Sequence, residues 1–156
     1  MWSGPRNIST ALLRSFSNRD DTVVYDEPFY SYYLKETGLN HPMREEIIDF
    51  YPTKEKEVIE TILKDKKGIY YQKHMTHHIL DKTNIEWLDK GTNCFLIRHP
   101  SKVINSYIKK NKLYSITDIG FDQMFRIFNY VKKNITKNIV IINADTLLEN
   151  PEVYIK

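Results

Sequence analysis

The stretch Cys94-Phe95-Leu96-Ile97-Arg98-His99-Pro100 changes abruptly from apolar to polar. Its first four residues form a short apolar run, which is typical of a strand buried on both faces. The polar residues after Ile97 mark the end of that strand, and Pro100 marks a boundary, because the residue before a proline resists the helical conformation. Apolar residues then follow at helical spacing: Val103, Ile104, Tyr107 and Ile108. The stretch therefore predicts a buried strand that leads into a helix.

Three other runs have the same character as residues 94–97. They are Thr22–Tyr25, Ile69–Gln72 and Ile139–Ile142. Segments with helical spacing separate the runs, with apolar positions at Val58, Ile59, Ile62 and Leu63, and at Phe121, Met124, Phe125, Phe128 and Val131. Strands that alternate with helices predict a parallel sheet with helices on both faces. We therefore expect an α/β fold of three layers.

Length and composition narrow the class of protein. A chain of 156 residues, of which 41% are hydrophobic, fits one packed domain and excludes a disordered segment. The net charge of +3 is too small to indicate a duplex nucleic-acid partner. Cys94 is the only cysteine, which excludes an internal disulfide framework. Because neither a membrane-spanning apolar run nor a secretory leader is present, we expect a cytoplasmic protein without a membrane partner.

Polar residues follow all four predicted strands. They are Asp26-Glu27, Lys73-His74, Arg98-His99 and Asn143-Ala144-Asp145. The carboxyl ends of parallel strands meet at one edge of the sheet, where open α/β sheets bind their ligands. One polar strand end is ordinary protein surface. Four that share an edge predict a ligand site.

The N-terminal segment, residues 3–10, reads Ser-Gly-Pro-Arg-Asn-Ile-Ser-Thr and precedes a helical pattern. Unpaired N–H groups at the start of a helix favour phosphate or sulfate, and Arg6 adds a charged donor. Against the pattern G-x-x-x-x-G-K-[ST], Ser9 stands at the second glycine and Thr10 at the lysine. An ATP-binding Walker loop is therefore a poor match. A capped surface helix is the simpler alternative.

This segment resembles the 5′-phosphosulfate loop of sulfotransferases that use 3′-phosphoadenosine 5′-phosphosulfate (PAPS). Arg6 falls on the family's Lys or Arg, and Ser9 and Thr10 fall on its pair of hydroxyls. Asn7-Ile8 replaces the Ser-Gly that is usual in this family's loop. Residues 2–7, Trp-Ser-Gly-Pro-Arg-Asn, look like the start of a bacterial and plant subgroup of sulfotransferase-like proteins. The resemblance implies that Arg6, Asn7, Ser9 and Thr10 bind the nucleotide.

A second signature lies at residues 95–106. Phe-Leu-Ile-Arg-His-Pro, followed by Ser106, resembles the family's 3′-phosphate strand and helix, in which an Arg precedes a Ser by eight positions, as Arg98 does here. Residues 145–151 resemble the family's Glu-Asp-Leu...Pro turn. The resemblance implies the P-loop nucleotide-hydrolase-like topology of sulfotransferases, with Arg98 and Ser106 on the 3′-phosphate. It also implies PAPS as co-substrate, a small-molecule or glycan acceptor, and no required metal.

The resemblance offers several candidates for the catalytic base. Glu27 ranks first, because Glu27-Pro28 resembles the Glu-Pro element that supplies the base in several sulfotransferase branches. Lys73-His74 resembles the Lys-Thr-His region of cytosolic sulfotransferases, but their histidine stands where this chain has Met75. The catalytic residues that the resemblance implies are Arg6, Glu27, Lys73 and His74.

His77 and His78 follow closely and are further candidates for the base. Their spacing from His74 also permits a metal site, but no cysteine or acidic third ligand lies nearby in sequence, so we expect none. A cluster of mainly aromatic residues has two interpretations, since it suits either an acceptor pocket or the core. Its members are Phe29, Tyr30, Tyr32, Tyr33 and Leu34.

In the family, a central strand precedes the phosphosulfate loop, whereas only Met1 and Trp2 precede Ser3 here. The chain also ends at Lys156, before a counterpart of the family's closing C-terminal loop. We therefore expect residues 1–156 to be a single sulfotransferase-like domain, truncated at both ends, with its central first strand largely missing. A P-loop kinase-like enzyme and a non-catalytic module that keeps the fold are the alternatives.

Overall fold

The computed structural model describes residues 1–113 and 115–155; Tyr114 and Lys156, the last residue of the predicted domain, lie outside the described residues. The strands are β1 (Trp2–Ser3), β2 (Thr22–Asp26), β3 (Ile69–Met75), β4 (Cys94–Ile97) and β5 (Val140–Asn143). The α-helices are α1 (Ser9–Ser17), α2 (Tyr30–Thr37), α3 (Arg44–Phe50), α4 (Glu55–Ile62), α5 (Pro100–Ile108), α6 (Phe121–Asn134), α7 (Ala144–Glu149) and α8 (Pro151–Ile155). Short 3-10 helices span Thr76–His78, Glu86–Lys90 and Ile116–Ile119.

Within the described ranges, five strands form a parallel sheet in the order β2-β3-β1-β4-β5. The central strand β1 has only two residues, yet it pairs with both neighbours, since Trp2 lies opposite His74 on one side and Phe95 on the other. The predicted parallel α/β fold is confirmed, including its very short first strand. The central position of β1 places the loop that follows it in the middle of the sheet's carboxyl edge.

Successive strand residues point to opposite faces of the sheet, and helices pack against the apolar side chains on both faces. On one face, α1 and α7 pack against the strands through Leu12, Leu13, Tyr71, Leu96, Ala144 and Leu147. On the other face, α2, α4 and α6 contribute to a larger cluster that contains Trp2, Tyr32, Val58, Ile62, Phe95, Ile127 and Val131. The sheet is thus the middle of three layers. No helix among the described residues is long and apolar enough to cross a membrane.

The sequence predicted the limits of β4 correctly but ended β3 at Gln72, three residues too early. Polar residues usually mark a strand end, and Lys73 and His74 were interpreted in that way. In the structure both are buried, at 2% and 4% exposure, and His74 lies opposite Trp2 in the neighbouring strand. The strand continues because it pairs with β1, because Lys73 meets the carboxylates of Asp26 and Glu27, and because His74 stacks on Trp2.

Candidate active site

A cleft of about 560 Å³ opens at the carboxyl edge of the sheet. It brings together most of the predicted site residues: Arg6, Asn7, Ser9, Thr10, Glu27, Lys73, His77, His78, Arg98 and Ser106. These residues come from the segments that follow β1, β2 and β4, and from the end of β3 and the turn after it, so three of the four predicted polar strand ends contribute to the cleft. His74 does not line the cleft.

The loop between β1 and α1 has an unusual backbone. Arg6 and Ile8 have φ values of +63° and +59°, in the left-handed region that costs energy for a β-branched residue such as Ile8. Gly4 allows a close approach of the backbone, since a Cβ there would lie 2.9 Å from the carbonyl oxygen of Ile119. α1 then begins at Ser9 without a side-chain cap. A strained loop before an uncapped helix start is well suited to hold an anion.

Asn7 anchors this loop to the sheet. Its Nδ2 donates a hydrogen bond to the carbonyl oxygen of Leu96 at 3.2 Å, and the residue is only 1% exposed. Its Oδ1 is buried without a hydrogen-bond partner. The Asn7 side chain therefore holds the loop against β4, which distinguishes it from the more accessible predicted nucleotide ligands.

The side of the cleft at β4 is rich in positive charge. Arg6 Nε donates to Ser106 Oγ at 2.9 Å, and Arg98 donates to the carbonyl oxygen of Arg6 at 3.2 Å. Arg98 Nε and Lys102 Nζ both donate to the carboxylate of Asp145, at 3.1 Å and 3.0 Å. Hydrogen bonds from Lys102 and Arg98 hold the pKa of the Asp145 carboxyl below its usual value. Two cations share one carboxylate, so positive charge remains to attract an anion.

The side of the cleft at β3 contains a buried ammonium group. Lys73 Nζ lies 2.6 Å from Asp26 Oδ1 and 2.7 Å from Glu27 Oε1. It also donates to Thr10 Oγ1 at 3.4 Å. A buried charge needs such partners, and the parallel register of β2 and β3 provides them by placing Asp26 opposite Lys73. Lys73 therefore connects the loop and α1 to the carboxylate of Glu27.

His74 lies on the opposite face of the sheet from Lys73, as alternation along a strand requires. Its ring stacks on Trp2 at a centroid distance of 4.5 Å, and its Nε2 lies 3.0 Å from Gln72 Oε1. Burial holds the pKa of His74 well below its usual value. The structure places His74 outside the cleft that contains Glu27 and Lys73, so the geometry gives its predicted catalytic role no support.

His77 and His78 follow β3 in a 3-10 helix and line the cleft. Burial lowers the pKa of His77 to about 4 and that of His78 well below its usual value, so both rings are neutral at pH 7. Gly120 has φ of +67°, and a Cβ there would lie 2.8 Å from the backbone nitrogen of His77.

In the described part of the chain, no group of three or more His, Cys, Asp or Glu residues is arranged to hold a metal ion.

The structure divides the aromatic cluster of residues 29–34 between the core and the cleft. Phe29 and Tyr32 are buried in the core, whereas Tyr30 lines the cleft and its hydroxyl lies 2.9 Å from His41 Nδ1. Sequence reasoning missed several other cleft residues: His41, Met75, Tyr107 and Asn111. Asp145 lay at a polar strand end, which was the available signal for its contact with Arg98.

The fold and the cleft define a parallel α/β protein whose central strand leads through a strained loop into an uncapped helix start. A family model described as a sulfotransferase domain matches residues 1–153. The chain therefore belongs to the sulfotransferase domain family.

Two Arabidopsis thaliana proteins are similar to almost the whole chain. They are Branched-chain-amino-acid aminotransferase-like proteins 1 and 2, each 31% identical over 157 residues, which is 99% of this chain. The match covers 28% of each relative, so the chain spans little more than a quarter of their length. No solved structure matches this chain.

Proposed function

We propose that this protein transfers a sulfuryl group from PAPS to the hydroxyl of a small-molecule or glycan acceptor. The observation that carries the proposal is the arrangement of cations on both sides of the loop between β1 and α1. Arg98 donates to the carbonyl oxygen of Arg6 on the side of β4, and Lys73 contacts Thr10 on the side of β3. PAPS carries two separate anionic groups, which this arrangement suits.

The donor would lie across the loop. Arg98 and Ser106 would bind the 3′-phosphate, and Arg6, Ser9 and Thr10 would bind the 5′-phosphosulfate together with the N–H groups at the start of α1. Membership of the sulfotransferase domain family supports this assignment. Asn7 supports the donor indirectly, because its hydrogen bond to Leu96 fixes the loop.

The transfer step asks the protein for charge stabilisation and for a base. The acceptor oxygen forms a bond to sulfur while the bond from sulfur to the 5′-phosphate oxygen breaks, and the electron pair of that bond stays on the phosphate. Lys73 and the N–H groups of α1 would stabilise the charge that develops there. Glu27 would take the proton from the acceptor hydroxyl. No step uses a metal ion.

Titration calorimetry tests the proposal with three ligands: 3′-phosphoadenosine 5′-phosphate, adenosine 5′-phosphosulfate, and ATP with magnesium. We expect the first to bind most tightly, because it alone has the 3′-phosphate for Arg98. Tighter binding of ATP with magnesium would instead support a kinase-like enzyme. Binding of 3′-phosphoadenosine 5′-phosphate without any turnover of labelled PAPS would support a non-catalytic module.

A further inference from the structure

Four ring-bearing residues line the cleft on the side of β2 and β3, and we call them the ring wall: Tyr30, His41, His77 and His78. Tyr30 stacks on His78 with ring centroids 4.9 Å apart, and His77 lies edge-on to His78 at 4.3 Å. Tyr33 packs against both histidines, at 5.6 Å and 4.9 Å. These contacts hold the rings in a fixed arrangement.

The ring wall is close to the proposed chemistry. Tyr30 lies three residues after Glu27, and its backbone N–H donates a hydrogen bond to the carbonyl oxygen of Glu27 at 2.9 Å. His77 and His78 follow Lys73 at the end of β3. Arg98 and Ser106, which are proposed to hold the 3′-phosphate, lie on the other side of the loop. A molecule whose hydroxyl reached Glu27 would therefore rest against the ring wall.

The ring wall contains both paired and unpaired polar atoms, since the Tyr30 hydroxyl already lies 2.9 Å from His41 Nδ1. The Nδ1 atoms of His77 and His78 are buried and have no hydrogen-bond partner. Neutral imidazole and phenol groups each offer one donor and at least one acceptor. A ligand in the cleft that supplies both donors and acceptors can pair with those polar atoms of the rings that border the cleft. Hydroxyl groups supply both.

We propose that the ring wall is the acceptor-binding surface and that it selects an uncharged ring carrying several hydroxyls, such as a monosaccharide unit or a cyclic polyol. This inference rests on the proposed function. The ring faces can pack against the apolar face of such an acceptor, while its hydroxyls meet the imidazole and phenol groups. A phenol or simple alcohol of equal size can pair with fewer of those groups, and sites built for hydrogen bonding discriminate against such ligands.

A second cleft allows the acceptor to be longer than one ring. It has a volume of about 300 Å³, adjoins the first at Glu27 and Tyr30, and contains the rings of Tyr25 and Tyr51. An acceptor unit on the ring wall could continue past Glu27 into this second cleft. The geometry thus accommodates a sugar that belongs to a larger molecule.

Ligand-observed NMR in the presence of 3′-phosphoadenosine 5′-phosphate tests the inference. The probes are methyl glucoside, methyl galactoside, methyl mannoside and inositol, compared with cyclohexanol and phenol. We expect at least one hydroxylated ring to bind about ten-fold or more tightly than the two single-hydroxyl probes, which corresponds to the loss of one or two hydrogen bonds. Equal or tighter binding of cyclohexanol or phenol, or no binding of any hydroxylated ring, would overturn it.

His77→Phe and His77→Gln provide a matched pair. Phe keeps a ring but removes the hydrogen bonds, whereas Gln keeps a donor and an acceptor. We expect His77→Phe to weaken binding of the hydroxylated ring about ten-fold and to strengthen binding of phenol. We expect His77→Gln to preserve the wild-type order of ligand affinities. An unchanged ratio of the two ligands in both variants would remove His77 from acceptor recognition. Loss of nucleotide binding by the wild type would instead refute the proposed function.

Discussion

The two sides of the cleft use positive charge in different ways. On the side of β4, the Arg98 side chain is 21% exposed and shares Asp145 with Lys102. On the side of β3, Lys73 is 2% exposed and is held between two carboxylates. A partly exposed guanidinium suits the binding of a phosphate, whereas a buried and fixed ammonium suits charge that develops during a reaction. The comparison predicts binding defects on one side and rate defects on the other.

Lys73→Met should have the largest effect. Removing a preorganised charge from the reacting group lowers turnover by about two to three orders of magnitude. The substitution also leaves Asp26 and Glu27 without their cation, so the melting temperature should fall. Steady-state release of 3′-phosphoadenosine 5′-phosphate from PAPS measures the rate, and calorimetry measures nucleotide affinity.

Lys73→Arg and Lys56→Met are the controls for that result. Arginine keeps the charge and should retain a stable fold but only part of the activity, because its planar group cannot occupy the same position. Lys56 is an exposed residue of α4, so its substitution should change neither quantity. Full turnover by a folded Lys73→Met variant would contradict a chemical role for this side of the cleft.

Glu27→Gln should lower turnover by about two orders of magnitude and leave nucleotide affinity nearly unchanged, because it removes the proposed base and keeps the side-chain shape. The same kinetic assay measures the loss. Glu60→Gln, on the exposed surface of α4, is the matched control. If His77→Gln gave the larger loss while Glu27→Gln remained close to wild type, the base would have to be reassigned.

Arg98→Ala should weaken the binding of 3′-phosphoadenosine 5′-phosphate about ten-fold or more and leave the affinity for adenosine 5′-phosphosulfate almost unchanged. The reason is that only the first ligand has a 3′-phosphate. Calorimetry with both ligands measures the ratio. Arg19→Ala, which removes an exposed arginine before β2, is the matched control. Equal losses for the two ligands would separate Arg98 from the 3′-phosphate.

Lys102→Ala should have the smallest effect. The Lys102 side chain is 56% exposed, so solvent screens its charge. It is linked to Arg98 through the carboxylate of Asp145, which both side chains contact. We expect a loss of affinity for 3′-phosphoadenosine 5′-phosphate of about two-fold at low salt and none at high salt. A loss as large as that of Arg98→Ala, persisting at high salt, would mean that Lys102 contacts the phosphate directly.

The parallel sheet could be predicted because its strands are short apolar runs followed by polar residues. The same rule failed at β3, where Lys73 and His74 continue the strand. Their burial depends on Asp26 and Trp2, which are distant in sequence. Partners of that kind are set by the packing of the strands, and a local pattern does not contain them.

The candidate site was predictable where one segment carries its chemistry, as at Arg6, Thr10 and Arg98. It was less predictable where several segments meet. His41 reaches the cleft from the loop before α3, and Tyr30 is separated from the buried Tyr32 only by the geometry of α2. The match over residues 1–153 establishes membership of the sulfotransferase domain family, whereas the roles of individual site residues stay predictions.

Phosphorus-31 NMR of bound 3′-phosphoadenosine 5′-phosphate tests the division of the cleft most directly, because the ligand has one phosphate for each side. The account predicts that Arg98→Ala shifts the resonance of the 3′-phosphate and that Lys73→Met shifts the resonance of the 5′-phosphate, each leaving the other resonance in place. If both substitutions moved the same resonance, or if each moved both equally, the two sides of the cleft would not have the separate functions that their structures indicate.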